Sequence, residues 1–273
     1  MTFPNQMVIV CGGRGQRISK ITTKIPKPLI KFHRKPFLYY LINYYSYQGI
    51  KNFILLTSYK KHLFLDFLKN FEFKKVKIKI LNEKKPLGTG GGLIKYKNYL
   101  DDIFFVTNGD TYQKIKLVEF YNNFINSKKN LGIGLVRSSD KPKLGNLILK
   151  KKIVYFSGKS NLINSGVYIF KKKALSATSS KIISLEQDII KKDIKKKKVF
   201  GYFHNNFFID IGSYKSIKKL KNVDFLSLKP PALFLDRDGV INRDYNYVYK
   251  IKDLKFEKKI FKIVKYYYEK NFI

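Results

Sequence analysis

The chain has 273 residues, 44% of them apolar, and a formal net charge of +37. That length suits one large α/β domain with room for little else, and no apolar run reaches the ~18–20 residues of a membrane span. A single cysteine excludes a disulfide framework and fits a reducing cytoplasm. Nucleic acid is a weak reading of the charge. Only six of the 56 basic residues are Arg (14, 17, 34, 137, 237, 243), and base and phosphate sites favour Arg for bidentate contacts. The lysines are spread along the chain, as on a solvated surface that attracts anionic substrates.

In chain order, short apolar runs at residues 7–11, 52–57, 76–81, 103–107 and 131–136 read as strands. Helical patterns at 37–47 and 62–70 lie between the early ones. The alternation predicts an α/β fold, a doubly wound, mostly parallel, Rossmann-like sheet. From 131 onward the connections shorten. Residues 147–149, 153–156 and 162–170 read as strands, 185–192 and 214–221 as helices, and 176–181 and 195–198 as loops. Lys229-Pro230-Pro231 marks a boundary, followed by an apolar run at 232–235 and a helix at 257–270. The expected division is a first domain at 1–222, a linker at 223–231 and a C-terminal fragment at 232–273.

Chemistry concentrates in a few motifs. The first strand runs into Cys11-Gly12-Gly13-Arg14-Gly15-Gln16-Arg17. Glycines there let the backbone approach a ligand, and successive N–H groups form a nest for anions. The spacing is neither G-x-G-x-x-G nor G-x-x-x-x-G-K-[ST]. Pro26 and Pro28 frame Lys27 in what reads as an extended segment, presenting one cation at a fixed point. Arg17 and Lys27 both suit phosphate.

These residues resemble the signature of the sugar-phosphate nucleotidyltransferases, and further stretches fit in order. Pro86-Leu87-Gly88-Thr89-Gly90-Gly91 is similar to the family's base-contacting loop. Val106-Thr107-Asn108-Gly109-Asp110 resembles its metal-bearing strand end, and Asn164-Ser165-Gly166-Val167-Tyr168 its sugar-binding strand. Ser184-Leu185-Glu186 and Phe208-Ile209-Asp210-Ile211-Gly212 complete the set. The match spans roughly residues 5–222. The resemblance implies an enzyme joining a nucleoside triphosphate to a sugar 1-phosphate with release of pyrophosphate. Lys27, Arg17 and Asp110 would be catalytic, and Asp110 and Asp210 would hold Mg²⁺. Cys11, Gly12, Gly13, Gly15, Gly88 and Thr89 would bind the nucleotide; Gly109, Lys159, Asn164 and Glu186 would bind the sugar phosphate. Two departures stand out. Gln16 replaces a usual Thr or small residue. Phe156-Ser157-Gly158-Lys159 replaces F-x-E-K, so one sugar contact is missing. A nucleotide-sugar-binding module that no longer turns over is the competing reading. His33, His62 and His204 lie outside the motifs and read as surface or packed histidines.

Residues 232–248, ALFLDRDGVINRDYNYV, resemble the first motif of the haloacid-dehalogenase phosphatases, in the branch acting on heptose bisphosphate and histidinol phosphate. Asp236 would be the nucleophile and Asp238 the acid. The family's later motifs are not in the remaining residues, so the fragment is expected to be a stub. The pairing resembles enzymes of activated-heptose synthesis for lipopolysaccharide or other surface polysaccharide. It favours heptose 1-phosphate as acceptor and GTP as donor.

Overall fold

The computed structural model describes residues 2–13, 18–73, 75–138, 144–175, 182–223, 231–246, 248–269 and 272. It divides into two compact units, residues 1–223 and 224–273.

In the first unit the elements run β1 (Gln6–Val10), α1 (Ser19–Thr22), β2 (Lys31–Phe32), β3 (Lys35–Pro36), α2 (Phe37–Tyr47), β4 (Asn52–Thr57), α3 (Lys61–Asn70) and β5 (Lys77–Asn82). There follow α4 (Gly88–Lys95), β6 (Ile103–Asn108), β7 (Thr111–Gln113), α5 (Leu117–Asn126), β8 (Leu131–Arg137), β9 (Leu147–Lys150), β10 (Ile153–Phe156) and β11 (Leu162–Lys171). A π-helical turn (Leu185–Ile190), α6 (Lys191–Lys195), β12 (Val199–Phe203), β13 (Phe208–Asp210) and α7 (Tyr214–Lys221) close the unit.

Nine strands form one sheet in the order β5-β4-β1-β6-β11-β8-β12-β10-β9. The first four are parallel, β11 is antiparallel to both its neighbours β6 and β8, and β12 is parallel to β8. The predicted mostly parallel sheet is therefore mixed, with β11 and β10 running against the rest. Helices cover both faces. Leu93 of α4 and Ile190 and Ile194 beyond it join Val8, Ile54, Phe104 and Val106 in one core. On the other face Phe120 of α5 lies 6.2 Å from Phe105 and 6.1 Å from Phe200. Burial on both faces explains why β1, β4 and β6 are near-continuous apolar runs. The edge strand β5 instead keeps Lys77 and Lys79 exposed, which discourages edge pairing.

Several expectations are corrected. The glycine-rich stretch from Gly88, read as a loop, is helix α4. Its glycines serve close packing: a Cβ on Gly90 would lie 3.1 Å from both Ile183 and Ile189, and one on Gly91 2.7 Å from Leu87. The helix expected at 185–192 begins as a π-helical turn and becomes α-helical only at Lys191. The two-residue strands β2 and β3 and the three-residue strands β7 and β13 were too short to carry a readable period. Residues 176–181 lie outside the described residues.

In the second unit the apolar run 232–235 forms no strand, and Phe234 is 91% exposed. A strand needs a neighbour to satisfy its peptide groups, and among the described residues no strand pairs with this run. What forms is a tight turn. Gly239, at φ +77°, donates its N–H to the Asn242 carbonyl at 2.7 Å, and Arg237 and Asn242 both hold the Asp238 carboxylate. The expected terminal helix is present as α8, Ile260–Glu269. Among the described residues no helix is long and apolar enough to cross a membrane.

Candidate active site

β1 and β6 lie side by side with Val10 opposite Asn108, so their carboxyl ends emerge together. β1 also pairs with β4 on its other side, making this a point where successive connections diverge. Ligands of open α/β sheets bind at such points. From β1 come Cys11, Gly12 and Gly13; from β6 come Gly109 and Asp110.

Gly109 explains how Lys27 is brought to Asp110. A Cβ there would lie 3.0 Å from Pro28 Cγ, 3.0 Å from the Val10 carbonyl and 3.1 Å from Cys11 Sγ. Only glycine lets the proline-framed segment approach this closely. Lys27 Nζ then donates to Asp110 Oδ2 at 2.9 Å, with side-chain exposures of 10% and 27%. The segment is not extended as expected. Lys27 opens a 3₁₀ turn over Lys27–Leu29, closed by Leu29 N–H to Pro26 O and Ile30 N–H to Lys27 O. Proline's fixed φ suits the first positions of such a turn, so the frame is rigid by a different route.

Cys11 is a buried thiol whose N–H donates to Leu56 O at 2.8 Å. Burial, reinforced by the Asp110 carboxylate, pushes its pKa far up, and it remains a neutral thiol. Gly12 is held by Ser58, whose hydroxyl donates to its carbonyl at 2.9 Å. Among the described residues nothing crowds Gly13, and a Cβ there would meet no atom within 4 Å. Gly15 and Arg17, with Arg14 and Gln16, lie outside the described residues.

Asp210 reaches the same place through backbone pairing. β7 starts directly after Asp110, and β13 runs antiparallel to it with Asp210 opposite Thr111. Ile211 N–H donates to Asp110 O at 2.9 Å, and Gly212 N–H donates to the Asp210 carboxylate. Two carboxylates thus sit on adjacent chain segments, 100 residues apart in sequence, with Lys27 beside one of them. Among the described residues no larger cluster of metal-ligating side chains occurs. Two carboxylates suit Mg²⁺, which is commonly held by one or two with phosphate oxygens and water completing its shell.

A second group of residues forms where α4 meets the π-helical turn. Gly88 adopts φ +82°, and a Cβ there would collide with the Ile183 carbonyl. Gly90 N–H donates to Ile183 O, and Ile183 N–H to Leu87 O, both at 2.8 Å. Glu83 caps the start of α4 by accepting from Leu87 N–H at 3.0 Å. Its own burial raises its pKa. Across this seam Thr89 Oγ1 donates to Glu186 Oε2 at 3.2 Å and accepts from Leu185 N–H at 2.8 Å. Asn164 sits on β11 just before a register shift. Its amide donates to the Tyr168 hydroxyl at 2.8 Å, and its Oδ1 accepts from Gly166 N–H at 3.1 Å. Glu186 and Asn164 are therefore joined through Tyr168. Lys159 is exposed on the turn between β10 and β11, and Gly158 has open space around it.

Some supporting contacts were invisible in the sequence. Ser58 and Tyr168 act through contacts made only by folding. Gln113 donates to Ser165 O and accepts from buried His204, both at 2.7 Å, tying β7 to the irregular stretch of β11. Burial pushes His204 down to about 4, so the imidazole is neutral. His204 is packed in the interior, and His33 contacts the Val223 carbonyl at 3.0 Å.

Residues 6–224 match the family model described as nucleotidyl transferase. The chain is 31% identical over 214 residues to a D-glycero-alpha-D-manno-heptose 1-phosphate guanylyltransferase from Aneurinibacillus thermoaerophilus, covering 76% of this chain and 93% of that one. It is 33% identical over 211 residues to the protein of the same description from Campylobacter jejuni, covering 76% and 94%. Its fold is similar to the crystal structure of HddC from Yersinia pseudotuberculosis, with a TM-score of 0.68, 31% identity, and 80% of this chain and 98% of that chain covered. The same protein complexed with GMP-PN gives a TM-score of 0.67 over the same shares, at 30% identity. With a family match over residues 6–224 and relatives 31% and 33% identical over 76% of its length, this chain belongs to the nucleotidyl transferase family.

Proposed function

We propose that the protein transfers a nucleoside monophosphate, GMP favoured, from its triphosphate to a sugar 1-phosphate, heptose 1-phosphate favoured, with release of pyrophosphate. The observation that carries this is the Lys27–Asp110 contact with Asp210 on the adjoining strand, where β1 and β6 end. The relatives described as heptose 1-phosphate guanylyltransferases support the choice of base and sugar. The reaction needs no protein nucleophile. An oxygen of the sugar phosphate attacks the α-phosphorus, and the protein aligns two anions and offsets their charge. Lys27, nearly buried and held by Asp110, is a preorganised cation for the α- and β-phosphates. Gly12 and Gly13 let the backbone approach them. Asn164 and Glu186 bind sugar hydroxyls. We assign Asp110 and Asp210 to Mg²⁺, which would supply charge neutralisation at the phosphate oxygens. The product would feed surface-polysaccharide synthesis in the cytoplasm. A module that binds without turning over is disfavoured by the intact Lys27–Asp110 contact. The test is pyrophosphate release across four nucleoside triphosphates and a panel of sugar 1-phosphates. GTP with D-glycero-D-manno-heptose 1-phosphate is expected to be fastest; no release with any pair would refute the reading.

The 232–248 stretch keeps its resemblance to a phosphatase first motif, and we propose that it carries no phosphatase activity here. With no strand at 232–235, no strand end presents Asp236 and Asp238 together. Asp238 is instead engaged by Arg237 and Asn242. A phosphoryl transition state also needs cations and donors around its equatorial oxygens. Truncation after Lys229 is expected to leave nucleotidyl transfer within about twofold, since the residues assigned to the site all belong to the first unit. Phosphate release from heptose 1,7-bisphosphate by the full chain, lost in Asp236→Asn, would overturn this.

A further inference from the structure

We propose that Thr89 is a positioning residue of the acceptor-sugar site, acting through Glu186 rather than by touching the nucleotide. The inference rests on the sugar 1-phosphate reaction proposed above and assigns a residue that the motif resemblance placed with the base.

A threonine hydroxyl has one proton to give and two lone pairs. At Thr89 the proton goes to Glu186 Oε2 at 3.2 Å, and one lone pair takes Leu185 N–H at 2.8 Å. Both contacts point across the seam to the π-helical turn. The seam is rigid. Gly90 and Gly91 N–H groups both donate to Ile183 O, Ile183 N–H returns to Leu87 O, and the glycine at 88 is required by its positive φ and by the Ile183 carbonyl against it.

Glu186 has two other donors, and both are longer. Ser184 Oγ reaches Oε2 at 3.4 Å, and the Tyr168 hydroxyl reaches Oε1 at 3.5 Å. Tyr168 already accepts from Asn164, so its single proton is the one directed at Glu186. Burial first, and Glu186 second, hold that phenol protonated, so it stays a donor. Thr89 is thus the nearest side chain fixing the carboxylate whose other oxygen leads through Tyr168 to Asn164. Removing its hydroxyl leaves Leu185 N–H without its acceptor and frees Glu186 to turn.

The experiment is steady-state pyrophosphate release by Thr89→Val, which keeps the side-chain shape, with GTP and heptose 1-phosphate varied in turn. The KM for the sugar phosphate is expected to rise roughly tenfold, the effect of losing one hydrogen bond to a charged group, with the KM for GTP and kcat within about twofold. Thr89→Ser restores the wild-type sugar KM. In a Glu186→Gln background, Thr89→Val moves the sugar KM by less than about twofold, because residues that act through one another are non-additive. A rise in the KM for GTP with the sugar KM unmoved would make Thr89 a nucleotide contact and overturn the inference. So would full additivity with Glu186→Gln. An unsubstituted chain inactive on every sugar 1-phosphate would overturn the reaction, and this inference with it. An active chain indifferent to Thr89→Val would overturn the inference alone.

Discussion

Asp110→Ala abolishes pyrophosphate release at any practical Mg²⁺ concentration. Asp110 and Asp210 are the two carboxylates brought together by β7 and β13, and Asp110 is also the acceptor for Lys27 at 2.9 Å. Its loss would remove one of the two carboxylates proposed to hold Mg²⁺ and would release the Lys27 cation, two terms that act on the same developing charge. A fall below about 10⁻³ of wild-type kcat is expected, the upper end for removing a single electrostatic group. Some stability is lost as well, because the Lys27 side chain is only 10% exposed and keeps no counter-charge there. Asp110→Asn separates the two effects. It retains an oxygen for Lys27 but is a poor metal ligand, so it should fold like wild type and remain inactive. Wild-type turnover in either variant would show that the metal site lies elsewhere.

Lys27→Ala lowers kcat by about 10² or more, the size seen when one preorganised charge donor is removed. The 3₁₀ turn between Pro26 and Pro28 is closed by backbone hydrogen bonds and does not depend on the lysine side chain, so the frame survives the substitution. Lys27→Arg is not a conservative rescue. Lys27 presents a point cation to one carboxylate oxygen, and the planar fork of arginine demands a different geometry. A loss confined to the KM for the sugar, with triphosphate turnover intact, would move Lys27 away from the phosphates.

How much of this was legible beforehand varies residue by residue. The parallel strands β1, β4 and β6 stood out as apolar runs because both their faces are covered, and a doubly covered strand has no polar side to confuse the pattern. Lys27, Asp110, Asp210 and Glu186 were named as candidates from motifs. Their partners were not. Neither the contact of Gly109 with Pro28 nor the pairing of Asp210 with Thr111 has any local signature. The glycine run at 88–92 misled because isolated glycine disfavours helix by about 1 kcal/mol. Here close packing on Ile183 and Ile189 outweighs propensity. The run at 232–235 misled in the opposite sense, since its apolar composition promised a strand that no neighbour completes among the described residues.

By itself the sequence determined the class of fold and the order of the longer elements of the first unit, and its motif resemblance named the residues proposed to meet phosphate, metal and sugar. The fold class and element order follow from hydrophobic period, which is a local property. Only the tertiary structure decided that Lys27 donates to Asp110, that Asp210 arrives on a strand paired with β7 from 100 residues away, and that Thr89 turns toward Glu186. Each of those depends on how closely two distant backbones approach. That distance is set by packing around Gly109, Gly88 and Gly90, where a single Cβ would hold the partners apart.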